Sequence, residues 1–248
     1  RNNEFIKYHG RNVHKDNKVI MNNIGSGFEV KFYGTKLYAT FDAWYGAWYG
    51  KTKVSVLVDD ETDTNKRVVT LNTATTESED LLVDNLPQGV HTVKVLKRTE
   101  ALSTSMTLHN IRTDGYFKIV DKTKKLTIEA YGDSITAGYG NLRGDISDTT
   151  NSDYQDGLQT YATYAATSLN ADINVQARSG IGMYTSNGID DTNQVNSFYN
   201  RVNYDGEYYW NFDNYTPDLV FINLGTNDFW NPSVFNLKKF KEEYSKFI

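Results

Sequence analysis

Leu126-Thr127-Ile128-Glu129-Ala130-Tyr131-Gly132-Asp133-Ser134-Ile135-Thr136-Ala137-Gly138-Tyr139-Gly140 runs from a short apolar strand, through a tight turn, into the start of a helix. A strand passing straight into a helix is the repeating unit of a parallel α/β sheet. The residues downstream keep that rhythm. Leu158, Tyr161, Ala162, Ala165 and Leu169 recur at three and four, which predicts a helix over 158–169. Ile173-Asn174-Val175 predicts a second short strand. Asp218-Leu219-Val220-Phe221-Ile222-Asn223-Leu224 is almost continuously apolar, the pattern of a strand buried on both faces. Leu237, Phe240, Tyr244 and Phe247 then mark a further helix. Residues 121–248 are therefore expected to form an α/β domain built on a parallel sheet.

Upstream the period changes from helical to two. Phe28, Val30 and Phe32 alternate with polar neighbours, as do Leu37, Ala39 and Phe41, then Val54, Val56 and Val58. Val93 and Val95, then Met106, Leu108 and Ile111, continue the pattern. Such alternation marks half-buried antiparallel strands. Turn signals separate them at Gly25-Ser26-Gly27, Asp59-Asp60, Leu86-Pro87-Gln88-Gly89 and Asp114-Gly115. With no amphipathic helix among them, residues 1–120 are expected to form a β-sandwich of jelly-roll type. The lysine-rich Asp121-Lys122-Thr123-Lys124-Lys125 reads as the linker.

Composition narrows the functional classes. The 248 residues carry 26 Lys and Arg against 31 Asp and Glu, a formal charge of -5, which gives no footprint for nucleic acid. There is no cysteine, which removes disulfides, thiolate metal sites and a cysteine nucleophile. No apolar run reaches the ~18 residues of a membrane span. The chain opens on Arg1 instead of Met, which reads as a processed or cut form; a secreted or extracellular location is expected. The chain has 18 Tyr, 12 Phe and 4 Trp, residues that pack sheets and also stack on sugars.

Three segments fall just after the three α/β strands: Gly132-Asp133-Ser134, Ala177-Arg178-Ser179-Gly180-Ile181-Gly182, and Gly225-Thr226-Asn227-Asp228. Ligands of parallel sheets gather at the carboxyl ends of strands, so the fold would bring all three together. Singly each has a plainer reading: Ser134 as a helix cap, Gly180 as a turn glycine, Asn227-Asp228 as loop. Gly138-Tyr139-Gly140 does not continue as a dinucleotide fingerprint, and a Walker lysine is absent. No cofactor is called for, and no metal, since no ligand cluster flanks Ser134.

These same blocks resemble those of the SGNH (GDSL-like) hydrolase superfamily. The resemblance implies that Ser134 attacks an acyl carbonyl, with its own N–H, the N–H of Gly180 and the amide of Asn227 forming the oxyanion hole. In the other half, Asn23-Ile24-Gly25-Ser26-Gly27-Phe28-Glu29-Val30-Lys31-Phe32-Tyr33-Gly34-Thr35 and Leu86-Pro87-Gln88-Gly89-Val90-His91-Thr92-Val93-Lys94-Val95 resemble carbohydrate esterase family 2. That resemblance implies a jelly roll joined to a flavodoxin-like SGNH domain, whose C-terminal part is expected to be missing from residues 121–248. It also implies removal of acetyl groups from plant polysaccharides such as xylan and mannan. Trp230, Asp133 and Tyr139 are expected beside the substrate, with Asp133 fixing the turn and taking no part in the chemistry. The aromatic clusters Trp44-Tyr45-Gly46-Ala47-Trp48-Tyr49-Gly50 and Tyr208-Tyr209-Trp210 are candidate sugar or packing surfaces.

A serine hydroxyl needs a base, usually histidine. The four histidines, His9, His14, His91 and His109, all precede Ser134. The base is expected on a continuation beyond Ile248 or on a second polypeptide completing the domain, with His91 or His109 reaching across as the alternative. Two rival functions stay open: an SGNH esterase or lipase for non-sugar esters, and a non-catalytic carbohydrate-binding protein.

Overall fold

The computed structural model describes residues 4–44, 50–72, 77–102, 104–123, 125–145, 152–186, 194–202, 207–214 and 216–248. The aromatic cluster of residues 44–50 therefore lies, apart from its two ends, outside the described residues.

The first half folds into β1 (Ile6–His9), β2 (Val13–Lys15), β3 (Lys18–Ile20), β4 (Gly27–Gly34), β5 (Leu37–Asp42) and β6 (Lys53–Val58). It continues with β7 (Val68–Thr70), β8 (Ser78–Val83), β9 (Gly89–Lys97), β10 (Thr107–Thr113) and β11 (Tyr116–Lys118). One antiparallel sheet has the order β1-β4-β9-β6-β7, with β11 also on β4, and the other has β2-β3-β10-β5-β8. From β3 onward, successive strands change sheet except at the β6–β7 hairpin. The resulting orders β3-β10-β5-β8 and β4-β9-β6-β7 are those of a jelly roll. The period-two residues fill the space between the sheets: Phe28, Val30, Phe32, Leu37, Phe41, Val54, Val93 and Val95 are wholly buried in one cluster. Each such side chain contributes about 1.5–3 kcal/mol on leaving water.

The second half contains β12 (Thr127–Gly132), α1 (Ser134–Ala137), α2 (Tyr161–Ser168), β13 (Asp172–Ala177), α3 (Val195–Phe198), β14 (Leu219–Asn223) and α4 (Leu237–Phe247). The strands are parallel in the order β13-β12-β14, the 2-1-3 order of doubly wound folds. Two expectations change. The helix predicted over 158–169 begins only at Tyr161, because Asp156, Gly157 and Leu158 are used in a loop: Asp156 Oδ1 accepts the Leu158 N–H at 3.0 Å. The apolar strand is not buried on both faces. Leu219 and Val220 are 40% and 49% exposed, because β14 is an edge strand of the described sheet, paired with β12 only.

Polar groups of the two halves interlock. Arg11, in the β1–β2 turn and fully buried, reaches Glu129 of β12 through Nε (3.1 Å) and Nη2 (2.6 Å), and Nη2 also donates to the Tyr131 hydroxyl at 2.9 Å. Its Nη1 donates to the carbonyls of Tyr199 and Arg201, and its N–H to Asn174 of β13. Arg98, just past β9, pairs with buried Asp156. The third weld is apolar: Ile24 packs with Ala137, Leu158 and Val175. Tyr208 and Trp210 also serve this region. The Tyr208 hydroxyl accepts from Lys15, and the Trp210 ring lies 5.7 Å from the Arg11 guanidinium.

Candidate active site

The parallel register aligns Gly132 of β12 with Ala177 of β13 and with Asn223 of β14. The loops carrying Ser134, Gly180 and Asn227 therefore leave the sheet at one level and form one rim. Ser134 is half-buried and opens α1. That helix is a single turn, ended by Gly138 in the left-handed conformation (φ 71°). A four-residue helix has little macrodipole, so the advantage expected from a helix N-terminus reduces to local N–H groups. The turn is tight: a side chain at Gly132 would overlap Thr136, whose hydroxyl bonds the Tyr161 hydroxyl at 3.0 Å.

Asp133 is fully buried, and Oδ1 accepts the Ile135 N–H at 2.9 Å, which caps α1. The cap gives Asp133 its expected part in fixing the turn, while its burial corrects the expectation that it lies beside substrate. Burial raises the Asp133 pKa, and the nearby Asp228 carboxylate pushes the same way.

Gly180 sits in a turn closed by the Ile181 N–H on the Arg178 carbonyl at 3.4 Å. Its φ of 87° is the value a type II turn requires at its third residue, which glycine adopts without strain. Asn227 is buried, and its Nδ2 donates to the Ile181 carbonyl at 2.6 Å. An amide nitrogen has two hydrogens, so this bond fixes the plane and leaves one to donate elsewhere.

Sequence reasoning assigned nothing to Asp228, yet it joins the two loops. Fully buried, it accepts the N–H groups of Met183 (2.8 Å), Tyr184 (2.9 Å) and Thr185 (3.2 Å). A side chain at Gly182 would overlap its carboxylate, which explains that glycine. The block Gly225-Thr226-Asn227-Asp228 held the signal, but not the direction of the side chain. Beyond the rim, Trp230 is 71% exposed and Tyr139 40% exposed.

No histidine stands with these groups. His91 is held by Asp59 (2.9 Å) through Nδ1 and by the Pro87 carbonyl (2.8 Å) through Nε2. His109 is held by Asp42 and Glu77, each at 2.7 Å. Both ring nitrogens are engaged in each case, which removes the alternative of a base reaching across from the sandwich. His9 lies between Glu29 and Asp172, and His14 packs edge-on against Tyr8.

Residues 8–122 match the family described as carbohydrate esterase 2 N-terminal, and residues 128–248 match GDSL-like lipase/acylhydrolase. A solved family two carbohydrate esterase from Clostridium thermocellum, in complex with cellohexaose, superposes with a TM-score of 0.87 at 30% identity, over 98% of this chain and 72% of that one. This chain belongs to carbohydrate esterase family 2. The cellulase/esterase CelE of Acetivibrio thermocellus is 31% identical over 90% of the chain, and an acetylxylan esterase/glucomannan deacetylase of Cellvibrio japonicus is 31% identical over 82%. The chain spans 26% and 54% of the lengths of those two relatives.

Proposed function

We propose that this chain carries the nucleophile and oxyanion hole of an esterase that removes O-acetyl groups from plant polysaccharide, with xylan and glucomannan as the substrate class. The observation that carries the reading is the common rim formed by the loops of Ser134, Gly180 and Asn227 at the ends of three register-matched parallel strands. Ser134 Oγ adds to the acetyl carbonyl, and its proton passes to a base. The carbonyl oxygen gains negative charge beside the N–H groups of Ser134 and Gly180 and the free Asn227 hydrogen. Donors fixed before the reaction stabilise that charge without reorganising, and one such donor is worth ~10²–10³ in rate. Collapse expels the sugar hydroxyl, and water then releases acetate. The acetylxylan esterase/glucomannan deacetylase activity of the Cellvibrio japonicus relative supports acetylated carbohydrate as substrate, and exposed Trp230 offers a stacking face for a sugar ring.

His91 and His109 have both ring nitrogens engaged, and His9 and His14 lie with Glu29, Asp172 and Tyr8, so we place the base on a histidine outside these four, on further chain or on a second polypeptide. A non-catalytic carbohydrate-binding role is the second reading, favoured by the same missing base. Acetate release from acetylated xylan and glucomannan oligosaccharides separates the two readings. Ser134→Ala is expected to abolish release with the fold intact. On the polypeptide of this sequence, added imidazole is expected to raise hydrolysis of an aryl acetate above the rate of an equal sample of Ser134→Ala. A Ser134→Ala protein that retains more than a few per cent of the wild-type rate excludes the assignment.

A further inference from the structure

Glu100 belongs to the β-sandwich half, yet its carboxylate lies against the Gly180 turn of the other half. It is 1% exposed. Oε2 accepts the Ser179 N–H at 2.7 Å, and Oε1 accepts the Ser179 hydroxyl at 2.6 Å and Gln155 Nε2 at 3.1 Å. The Glu100 N–H in turn donates to Gln155 Oε1 at 3.1 Å. Three donors converge on one side chain, and only an ionised carboxylate can accept from all of them without presenting a hydrogen of its own. Burial works against that charge, and the bonds from Ser179 and Gln155 oppose the effect of burial.

We propose that Glu100 is a positioning residue for the oxyanion hole, reaching across the domain interface to fix the peptide that bears the Gly180 N–H. The inference rests on Gly180 being an oxyanion donor. Ser179 and Gly180 are the two central residues of the turn, and Gly180 alone of the two has positive φ. The peptide between them is the one whose flip interconverts turn types I and II. A flip points the Gly180 N–H to the opposite side. Gripping Ser179 at both its N–H and its hydroxyl fixes the plane before that peptide and the rotamer beside it. Ser179 Cα, the pivot from which the Gly180 N–H is aimed, is thereby held from two sides by a buried carboxylate. The sandwich thus takes part in acyl transfer without touching substrate.

The test compares Glu100→Gln and Ser179→Ala with wild type and Asn227→Ala. The protein is assayed with its base, or with imidazole in its place. Active sites are counted with a serine-directed phosphonate, so that misfolded molecules drop out of kcat. Glu100→Gln is expected to lower kcat per titrated site about 10- to 10²-fold on an aryl acetate, with KM within two-fold, the size of a small misplacement in a reacting site. Ser179→Ala keeps the N–H bond and is expected to lose several-fold, again in kcat. The rate of phosphonylation, which also builds charge on oxygen, is expected to fall in parallel. A lower melting temperature with unchanged kcat per titrated site in Glu100→Gln overturns the inference. If Glu100→Gln does not fold, unchanged kcat in Ser179→Ala overturns it instead. Loss of rate in Asn227→Ala alone sinks only this inference. Full activity in Ser134→Ala sinks the proposed function and this inference with it.

Discussion

In the proposed site, Gly180 is the residue where backbone conformation and chemistry would coincide. At φ 87° any side chain is strained by about 1–2 kcal/mol, and the strain is relieved by flipping the peptide that carries its N–H. Gly180→Ala is therefore expected to cost about 1 kcal/mol in stability but ~10² in kcat, measured by denaturant melts and aryl acetate kinetics on the same preparation. Equal wild-type kcat would remove Gly180 from the oxyanion hole. His91 offers a residue-scale titration away from the site. Burial disfavours its charged form, but Asp59 and the Pro87 carbonyl prevail and raise its pKa. A raised folded pKa gives stabilisation that is complete below about 6.5 and is lost as pH climbs through the raised value. Asp59→Asn is expected to shift the His91 imidazole titration, followed by NMR, to lower pH and to flatten the stability profile over that window. An unshifted titration would show that Asp59 does not hold the ring.

Elements whose side chains repeat locally were legible in the sequence. The alternation of Phe28-Val30-Phe32 and Leu37-Ala39-Phe41 marks the sandwich strands, because each alternate residue enters one shared core. The three segments at the strand ends were also legible, since parallel strands deliver their following residues to one rim. Elements shaped by distant partners were not. Asp133 is expected both to fix the turn and to lie beside substrate, and only its cap to Ile135 separates the two; Glu100 carries no local signal because its partners lie 55 and 79 residues away. Strand β14 misled for a related reason: its apolar run suggests two covered faces, while its first two residues are open. In the polypeptide of this sequence, Val220→Thr is expected to change stability by less than about 0.5 kcal/mol, as for a surface site. Ile128→Thr, at 0% exposure in the central strand, is expected to cost several times that. Chemical denaturation compares the two, and a large loss at Val220 would show that β14 is covered in solution.

At the scale of the molecule, the two halves are joined by charge as well as by apolar packing. Arg11 and Glu129 are 0% and 1% exposed, and removing one leaves the other buried without its partner. Arg11→Ala is expected to cost about 3–5 kcal/mol, while Arg11→Met with Glu129→Leu is expected to recover much of the loss. Calorimetry is expected to show one transition for wild type, because neither half satisfies its buried charge alone. Two separate transitions in wild type would refute the coupling. Arg11 also imposes an order in time. The chain is made from its N-terminus at roughly 5–20 residues per second, and Glu129 lies 118 residues after Arg11. On the ribosome the guanidinium therefore waits on the order of ten seconds for its carboxylate. The jelly roll has all its strands before the first residue of β12 exists, so it emerges with a charged socket whose carboxylate partner comes from the central strand of the next domain. Nascent β12 meets a template instead of open solvent. A circular permutant that begins at the linker would reverse the order, with Glu129 emerging as an unpaired anion in the middle of an incomplete sheet.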